Sequence, residues 1–150
     1  MHVTLVNIYG PNVDDAGFFR KTFDKLPDLS NTNLIIAGDF NTILDWHLNR
    51  SSKKQSSPSN ASITLNSLLS STNVVDIWRL QNPTDREYSL FSKLHNSYSQ
   101  IDFFLLDSKL LPNVLDTKYH NIVVSDHAPV RVNLDFNRQK QQMTWRLRPY

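Results

Sequence analysis

The residues that follow Ser125-Asp126-His127 alternate strictly between apolar and polar side chains, which constrains this segment to a β-strand with one buried face. The apolar positions are Ala128, Val130, Val132, Leu134 and Phe136. A carboxylate and an imidazole therefore stand together at the entrance of a strand. Such a position holds side chains in place while leaving them accessible, so catalytic groups are often found there. The Ser-Asp-His sequence alone is a weak signal.

Two other apolar segments contain acidic residues that need an explanation. Residues 34–37 are uniformly apolar and lead into a Gly-Asp-Phe-Asn sequence at 38–41. A buried strand that ends in these residues can hold polar groups at the lip of a sheet. The same residues can equally form a turn through side-chain bonds to their own backbone. Asp102 lies inside the apolar run 100–106, where a buried carboxylate is costly unless a partner compensates it.

The rest of the chain predicts further strands and two helices. Residues 3–9 are apolar and β-branched, which predicts a buried strand. Asp14 or Asp15 can cap a helix that continues to about Leu26, where a proline ends it. Residues 62–71 predict a second, shorter helix with its leucines facing inward.

A hairpin and a basic loop complete the secondary-structure prediction. Residues 88–92 and 100–106 predict two strands that are joined through His95-Asn96. The stretch 45–60 is rich in serine, asparagine and lysine and predicts a positively charged surface loop.

Composition limits the class of protein. The chain has 150 residues, of which 39% are hydrophobic, and this is enough for one domain but not for two. It has no cysteine, which excludes disulfides, thiolate nucleophiles and thiolate zinc sites. No apolar run is long enough to cross a membrane, and the start does not resemble a signal peptide. We therefore predict a soluble, non-secreted protein of the nucleus or cytoplasm with no membrane partner.

The net charge of +2 is unevenly distributed. Residues 138–150 contain four basic residues and no acidic one, so the preceding 137 residues carry a net charge of −2. A basic extension on a nearly neutral body favours a polyanionic partner. A solvated linker with incidental charge is the alternative. We predict a domain over residues 1–137 and a basic linker over 138–150.

Three aspartates lie at predicted strand edges and suit phosphodiester hydrolysis. Asp39, Asp102 and Asp126 are joined by Asn41 and His127. Aspartates bind divalent cations through oxygen, a carboxylate can take a proton from water, and an imidazole held by a carboxylate can stabilise developing negative charge. The spacing alone does not assign these roles.

Four motifs occur in the order found in the endonuclease/exonuclease/phosphatase superfamily. They are Asn7-Ile8-Tyr9-Gly10-Pro11-Asn12, Gly38-Asp39-Phe40-Asn41, Ser99-Gln100-Ile101-Asp102-Phe103 and Ser125-Asp126-His127. Within that superfamily, the sequence most resembles the endonuclease domain of long-interspersed-element (non-LTR) retrotransposon polyproteins. The resemblance spans the chain and includes Trp145-Arg146-Leu147, which resembles the segment leading toward the reverse transcriptase.

The resemblance implies a fold, an activity and a set of residue roles. The fold is α/β, an α+β sandwich of two packed β-sheets flanked by helices, as in DNase I. The activity is Mg²⁺-dependent nicking of DNA, with Mn²⁺ as a possible substitute, for primed reverse transcription by a covalently linked reverse transcriptase. The implied catalytic residues are Asp39, Asn41, Asp102 and His127, the metal residue is Asp126, and the phosphate and DNA contacts are Tyr9, Asn12, Arg50 and Ser99.

The sequence also departs from the family pattern. Family members carry an asparagine and a metal-ligating glutamate upstream of the Tyr9 strand, and the only glutamate here is Glu87, which lies out of order. We therefore expect an N-terminally truncated domain that binds Mg²⁺ weakly or not at all and is inactive or impaired. The alternatives are a non-catalytic nucleic-acid-binding or remnant domain, an apurinic-site nuclease, and a lipid or inositol phosphatase.

Overall fold

A computed structural model describes residues 2–26, 32–52 and 57–137, so the predicted basic linker at 138–150 lies outside the described residues. The strands are β1 (Val3–Tyr9), β2 (Asn33–Asp39), β3 (Val74–Asp76), β4 (Leu90–Ser92), β5 (Ser97–Ser99), β6 (Asp102–Asp107), β7 (Val114–Tyr119) and β8 (Val130–Leu134). The helices are α1 (Ala16–Phe23), α2 (Asn60–Ser71), α3 (Ile77–Gln81) and a 3₁₀ helix (Ser108–Asn113). No helix among the described residues has the length and apolar character needed to cross a membrane.

The central sheet has the strand order β1-β2-β6-β3. Strand β1 runs parallel to β2, whereas β6 runs antiparallel to both β2 and β3. Side chains alternate between the two faces of each strand, so Leu34 and Ile36 face one side and Ile35 faces the other. All three are buried, which explains why β2 is uniformly apolar.

Each face of the central sheet is covered by a different layer. Helices α1 and α2 cover one face, where the ring of Phe40 stacks on Phe19 and meets Phe103 edge-on. The β7–β8 hairpin covers the other face, where Ile35 and Val114 belong to a second apolar cluster. The result is a layered α/β sandwich, as the resemblance predicted.

Two neighbouring aspartates accept hydrogen bonds from the first turns of two different helices. The Asp15 side chain accepts a hydrogen bond from the Phe18 backbone N–H and caps α1, as predicted. Asp14 instead accepts from the backbone N–H groups of Asn60 and Ala61 at the start of α2. Helix α1 ends at Phe23 rather than near residue 26, because the chain turns at Asp24.

The predicted hairpin between residues 88–92 and 100–106 is wrong. Strand β4 pairs instead with β5, and β6 pairs with β2 in the central sheet. The buried residues Gln100 and Ile101 carry the chain from one layer to the other. The run 97–107 therefore belongs to two sheets.

Burial of Asp76 predicts a pH-dependent stability. Asp76 caps α3 by accepting from the Arg79 backbone N–H, and burial raises the pKa of its carboxyl from 3.8 to about 6. A raised pKa in the folded state means that the stabilising contribution of the carboxyl is complete below about pH 4 and is lost as the pH rises through 6. Asp76→Asn keeps a capping oxygen and removes the ionisation.

As the pH rises from 4 to 7.5, we expect the free energy of unfolding of the variant to increase by about 1–3 kcal/mol relative to that of the wild type. Urea unfolding of both proteins at the two pH values measures this gain. A difference in the free energy of unfolding that does not change with pH would contradict the assigned burial of Asp76.

Candidate active site

The register of the central sheet brings three predicted site residues into one row. Tyr9 pairs with Asp39 across β1 and β2, and Asp39 pairs with Asp102 across β2 and β6. Residues directly opposite each other in neighbouring strands project from the same face of a sheet. Residues that are far apart in the sequence therefore meet at one edge of the sheet.

The Gly-Asp-Phe-Asn sequence forms both a strand end and a turn. The Asp39 carboxylate accepts a hydrogen bond from the Asn41 backbone N–H at 2.8 Å, and the Asn41 side chain donates to the Gly10 carbonyl at 2.9 Å. Asn41 has a φ of 47°, in the left-handed region that asparagine tolerates well. The turn therefore holds Asp39 and Asn41 at the lip of the sheet, so the two alternatives left open by the sequence occur together.

Strand β4 brings the Ser-Asp-His segment to the central sheet. Leu90 forms a β-bridge with His127, the Phe91 N–H donates to the Asp126 carbonyl at 2.9 Å, and the Ala128 N–H donates to the Ser89 carbonyl at 2.7 Å. His127 then lies with its Nδ1 atom 2.9 Å from a carboxylate oxygen of Asp102. His127 is thus the partner that the burial of Asp102 required.

Ser89 is a site residue that the sequence analysis missed. It is fully buried, and its hydroxyl accepts from the backbone N–H groups of Ile101 and Asp102 at 2.9 and 3.0 Å. Burial raises the pKa of the Asp102 carboxyl, while hydrogen bonds from the Ser89 and His127 side chains oppose the rise and the charge of Asp39 adds to it. A serine in a predicted strand gives no sequence signal for this role.

A cavity of about 1470 Å³ opens above this edge of the sheet. Eight of the nine predicted site residues line it: Tyr9, Asn12, Asp39, Asn41, Arg50, Ser99, Asp126 and His127. Asp102, the ninth, lies behind His127. The guanidinium of Arg50 lies 4.4 Å from the centre of the Trp46 ring, a cation–π contact that supports Arg50 at the cavity wall. Trp46 lines the cavity as well.

One group of described residues has donor atoms close enough to share a metal ion. The donor atoms of Asp39, Asp102 and His127 lie within 4.8 Å of one another. Two carboxylates fit a hard cation such as Mg²⁺, which takes one or two carboxylates and several waters. Asp126 lines the same cavity but is not part of this group, so its role as a metal ligand stays a prediction. Glu87 is exposed and is not among the described residues that line the cavity.

The chain has a DNase I-like α/β fold, which confirms the predicted fold class and agrees with the resemblance found in the sequence. It is similar to an AP endonuclease from Archaeoglobus fulgidus (TM-score 0.74, 16% identity, 89% of this chain and 62% of that one). It is also similar to the Xenopus laevis APE2 catalytic domain (TM-score 0.71, 20% identity, 89% and 50%). A third similar structure is the 3′-5′ exonuclease NExo from Neisseria meningitidis (TM-score 0.69, 20% identity, 89% and 62%).

In sequence, the chain is 30% identical over 135 residues to the Transposon TX1 uncharacterized 149 kDa protein of Xenopus laevis. The match covers 87% of this chain and 10% of that protein. This similarity agrees with the resemblance to retrotransposon endonuclease domains. No protein-family model matches the sequence.

Proposed function

We propose that this cavity cleaves phosphodiester bonds in DNA with the help of a divalent cation. The observation that carries the proposal is the cluster of Asp39, Asp102 and His127, with donor atoms within 4.8 Å and the Asp102–His127 pair at 2.9 Å. A base, a paired imidazole and oxygen ligands for a cation at one cavity wall are the groups that this hydrolysis needs.

Each side chain has a role that its contacts support. Asp39 accepts the proton of the attacking water, and Asn41 keeps it oriented through its backbone N–H. Asp102 binds His127 through Nδ1, which leaves Nε2 as the ring atom for the scissile phosphate. Asp39 and Asp126 would hold Mg²⁺ or Mn²⁺, which would supply charge neutralisation at the phosphate.

DNA is the substrate that the cavity walls favour. Tyr9 is 79% exposed at the cavity, where a phenol can contact a phosphate or a sugar. Arg50 provides a positive charge beside Ser99, with which it forms a β-bridge. From the resemblance to retrotransposon endonuclease domains, with which the transposon relative agrees, we infer single-strand nicking for primed reverse transcription by a reverse transcriptase on the same polyprotein.

We propose that these 150 residues cut DNA slowly by themselves. The asparagine and glutamate that the resemblance places before the Tyr9 strand are not in this sequence, so fewer carboxylates are available to hold the cation. Two solved structures of similar fold are named AP endonucleases. Cleavage at an abasic site is therefore the second candidate, and an oligonucleotide with one abasic position tests it.

Conversion of supercoiled plasmid to the nicked form, with Mg²⁺ or Mn²⁺, tests the proposal. We expect slow, metal-dependent nicking that His127→Ala removes. Rapid nicking that His127→Ala abolishes would show that the chain is not impaired. Nicking by the His127→Ala variant at the wild-type rate would contradict the assignment of this cavity as the active site. No nicking and no metal binding at any concentration would favour a non-catalytic remnant.

A further inference from the structure

A chain of buried hydrogen bonds ends at the backbone of Asp102, outside the cavity. The Tyr119 hydroxyl donates to the Asp102 carbonyl oxygen at 2.5 Å, and the Gln100 side-chain amide donates to the Tyr119 oxygen at 2.7 Å. Gln100 is fully buried and Tyr119 is 6% exposed. Polar groups in a core are costly unless they are paired, so these bonds are strong constraints on the groups that they join.

Arg79 sets the direction of this hydrogen-bond chain. Its Nη2 atom donates to the side-chain oxygens of Asn49 at 2.8 Å and Gln100 at 3.3 Å. Its Nη1 atom donates to two backbone carbonyls of the turn that follows α3. Because a guanidinium only donates, Gln100 presents its oxygen to Arg79 and its NH₂ group to Tyr119.

The Tyr119 hydroxyl therefore donates to a single acceptor. Its oxygen accepts from Gln100, so its single O–H donates to the Asp102 carbonyl. Burial raises the pKa of Tyr119 well above its ordinary value, which keeps the proton on the hydroxyl. The Tyr119 ring meets Trp78 edge-on with the ring centres 5.2 Å apart, and Arg79 lies over the Trp78 ring. This packing holds the hydroxyl in position.

Asp102 is held from both sides of its backbone. Its N–H donates to the Ser89 hydroxyl, and its carbonyl accepts from Tyr119. Asp102 is also the first residue of β6, so the strand continues on only one side of it. The direction of its side chain toward His127 depends on this backbone position.

We propose that Tyr119 and Gln100 are positioning residues that fix the Asp102 backbone so that its carboxylate meets His127 at bonding distance. Neither residue lines the cavity among the described residues, so they act through Asp102 and not on the substrate. The importance of this pair for catalysis rests on the proposed function. The positioning itself does not, because it is a property of the folded chain.

Two substitutions break the hydrogen-bond chain at different points. Tyr119→Phe removes one oxygen and keeps the ring. Gln100→Glu keeps the acceptor for Arg79 but removes the donor for Tyr119, so the Tyr119 proton turns to the carboxylate and leaves the Asp102 carbonyl. Tyr98→Phe is the matched control, since Tyr98 is 44% exposed and its ring packs on Phe91, away from these hydrogen bonds.

NMR resonances of the Asp102 carbonyl carbon and the His127 ring give a readout that does not need activity. We expect both sets to shift in Tyr119→Phe and Gln100→Glu, with unchanged resonances in Tyr98→Phe. Where nicking is measurable, we expect kcat to fall about tenfold with KM unchanged. If the two substitutions only lowered the stability of the fold, kcat per folded molecule would equal that of the wild type.

Asp102 and His127 resonances that coincide with those of the wild type in both variants would overturn the inference, whether or not the chain nicks DNA. A kcat that is retained in both variants would also overturn it. Shifted resonances in a chain that shows no nicking would support the positioning role and count against the proposed function.

Discussion

Asp39→Asn is expected to reduce metal-dependent nicking about a thousandfold, because it removes the proposed base and one ligand of the cation together. Asparagine has nearly the same shape, and its side-chain oxygen can still accept the hydrogen bond from the Asn41 N–H that Asp39 accepts at 2.8 Å. The fold should therefore survive. Plasmid nicking and a Mn²⁺ titration, with the melting temperature as a check on folding, measure the effect.

Asp116→Asn is the control for this substitution. This substitution makes the same chemical change on the surface of β7, where the Asp116 carboxylate pairs with Arg131 at 2.9 Å. We expect nicking at the wild-type rate, since exposed ion pairs contribute little. Equal nicking by the Asp39→Asn variant and the wild type would place the base elsewhere.

The elements that the sequence predicted correctly have strong local signals. Strand β2 is uniformly apolar because both of its faces are buried, and Asp15 caps α1 within its own turn. The site residues were predictable for a different reason. Asp39, Asp102 and His127 each lie in a short motif whose order matched a known superfamily, and their register across β2, β6 and the β4 bridge brings them together.

The features that escaped prediction depend on contacts between distant segments. Asp14 accepts hydrogen bonds from the first N–H groups of α2, 46 and 47 residues away, a role that local spacing cannot distinguish from capping of α1. The strand predicted over residues 100–106 begins only at Asp102, because Gln100 and Ile101, which carry no turn signal, lead from β5 in one sheet to β6 in another. Ser89 escaped for the same reason, since its partner Asp102 is set by tertiary structure.

Gly38→Ala is expected to destabilise the fold by about 3 kcal/mol and to impair the site. Gly38 has a φ of +134°, which residues with a side chain rarely adopt, and a Cβ there would overlap the carbonyl oxygen of Ile8 in β1. The strands β1 and β2 would have to separate beside Asp39, the residue that follows. Urea unfolding measures the loss of stability, and nicking per folded molecule measures the loss at the site.

Gly17→Ala separates this backbone effect from the general cost of changing glycine. Gly17 lies in the first turn of α1, and a Cβ there would meet only the Asp15 carboxylate, at 3.2 Å. Alanine favours helix by about 0.5–1 kcal/mol over glycine, so this variant should be as stable as the wild type or slightly more stable. Equal stability of the Gly38 and Gly17 variants would mean that β1 and β2 can separate without cost, and the row of Tyr9, Asp39 and Asp102 would then not depend on the close approach of these strands.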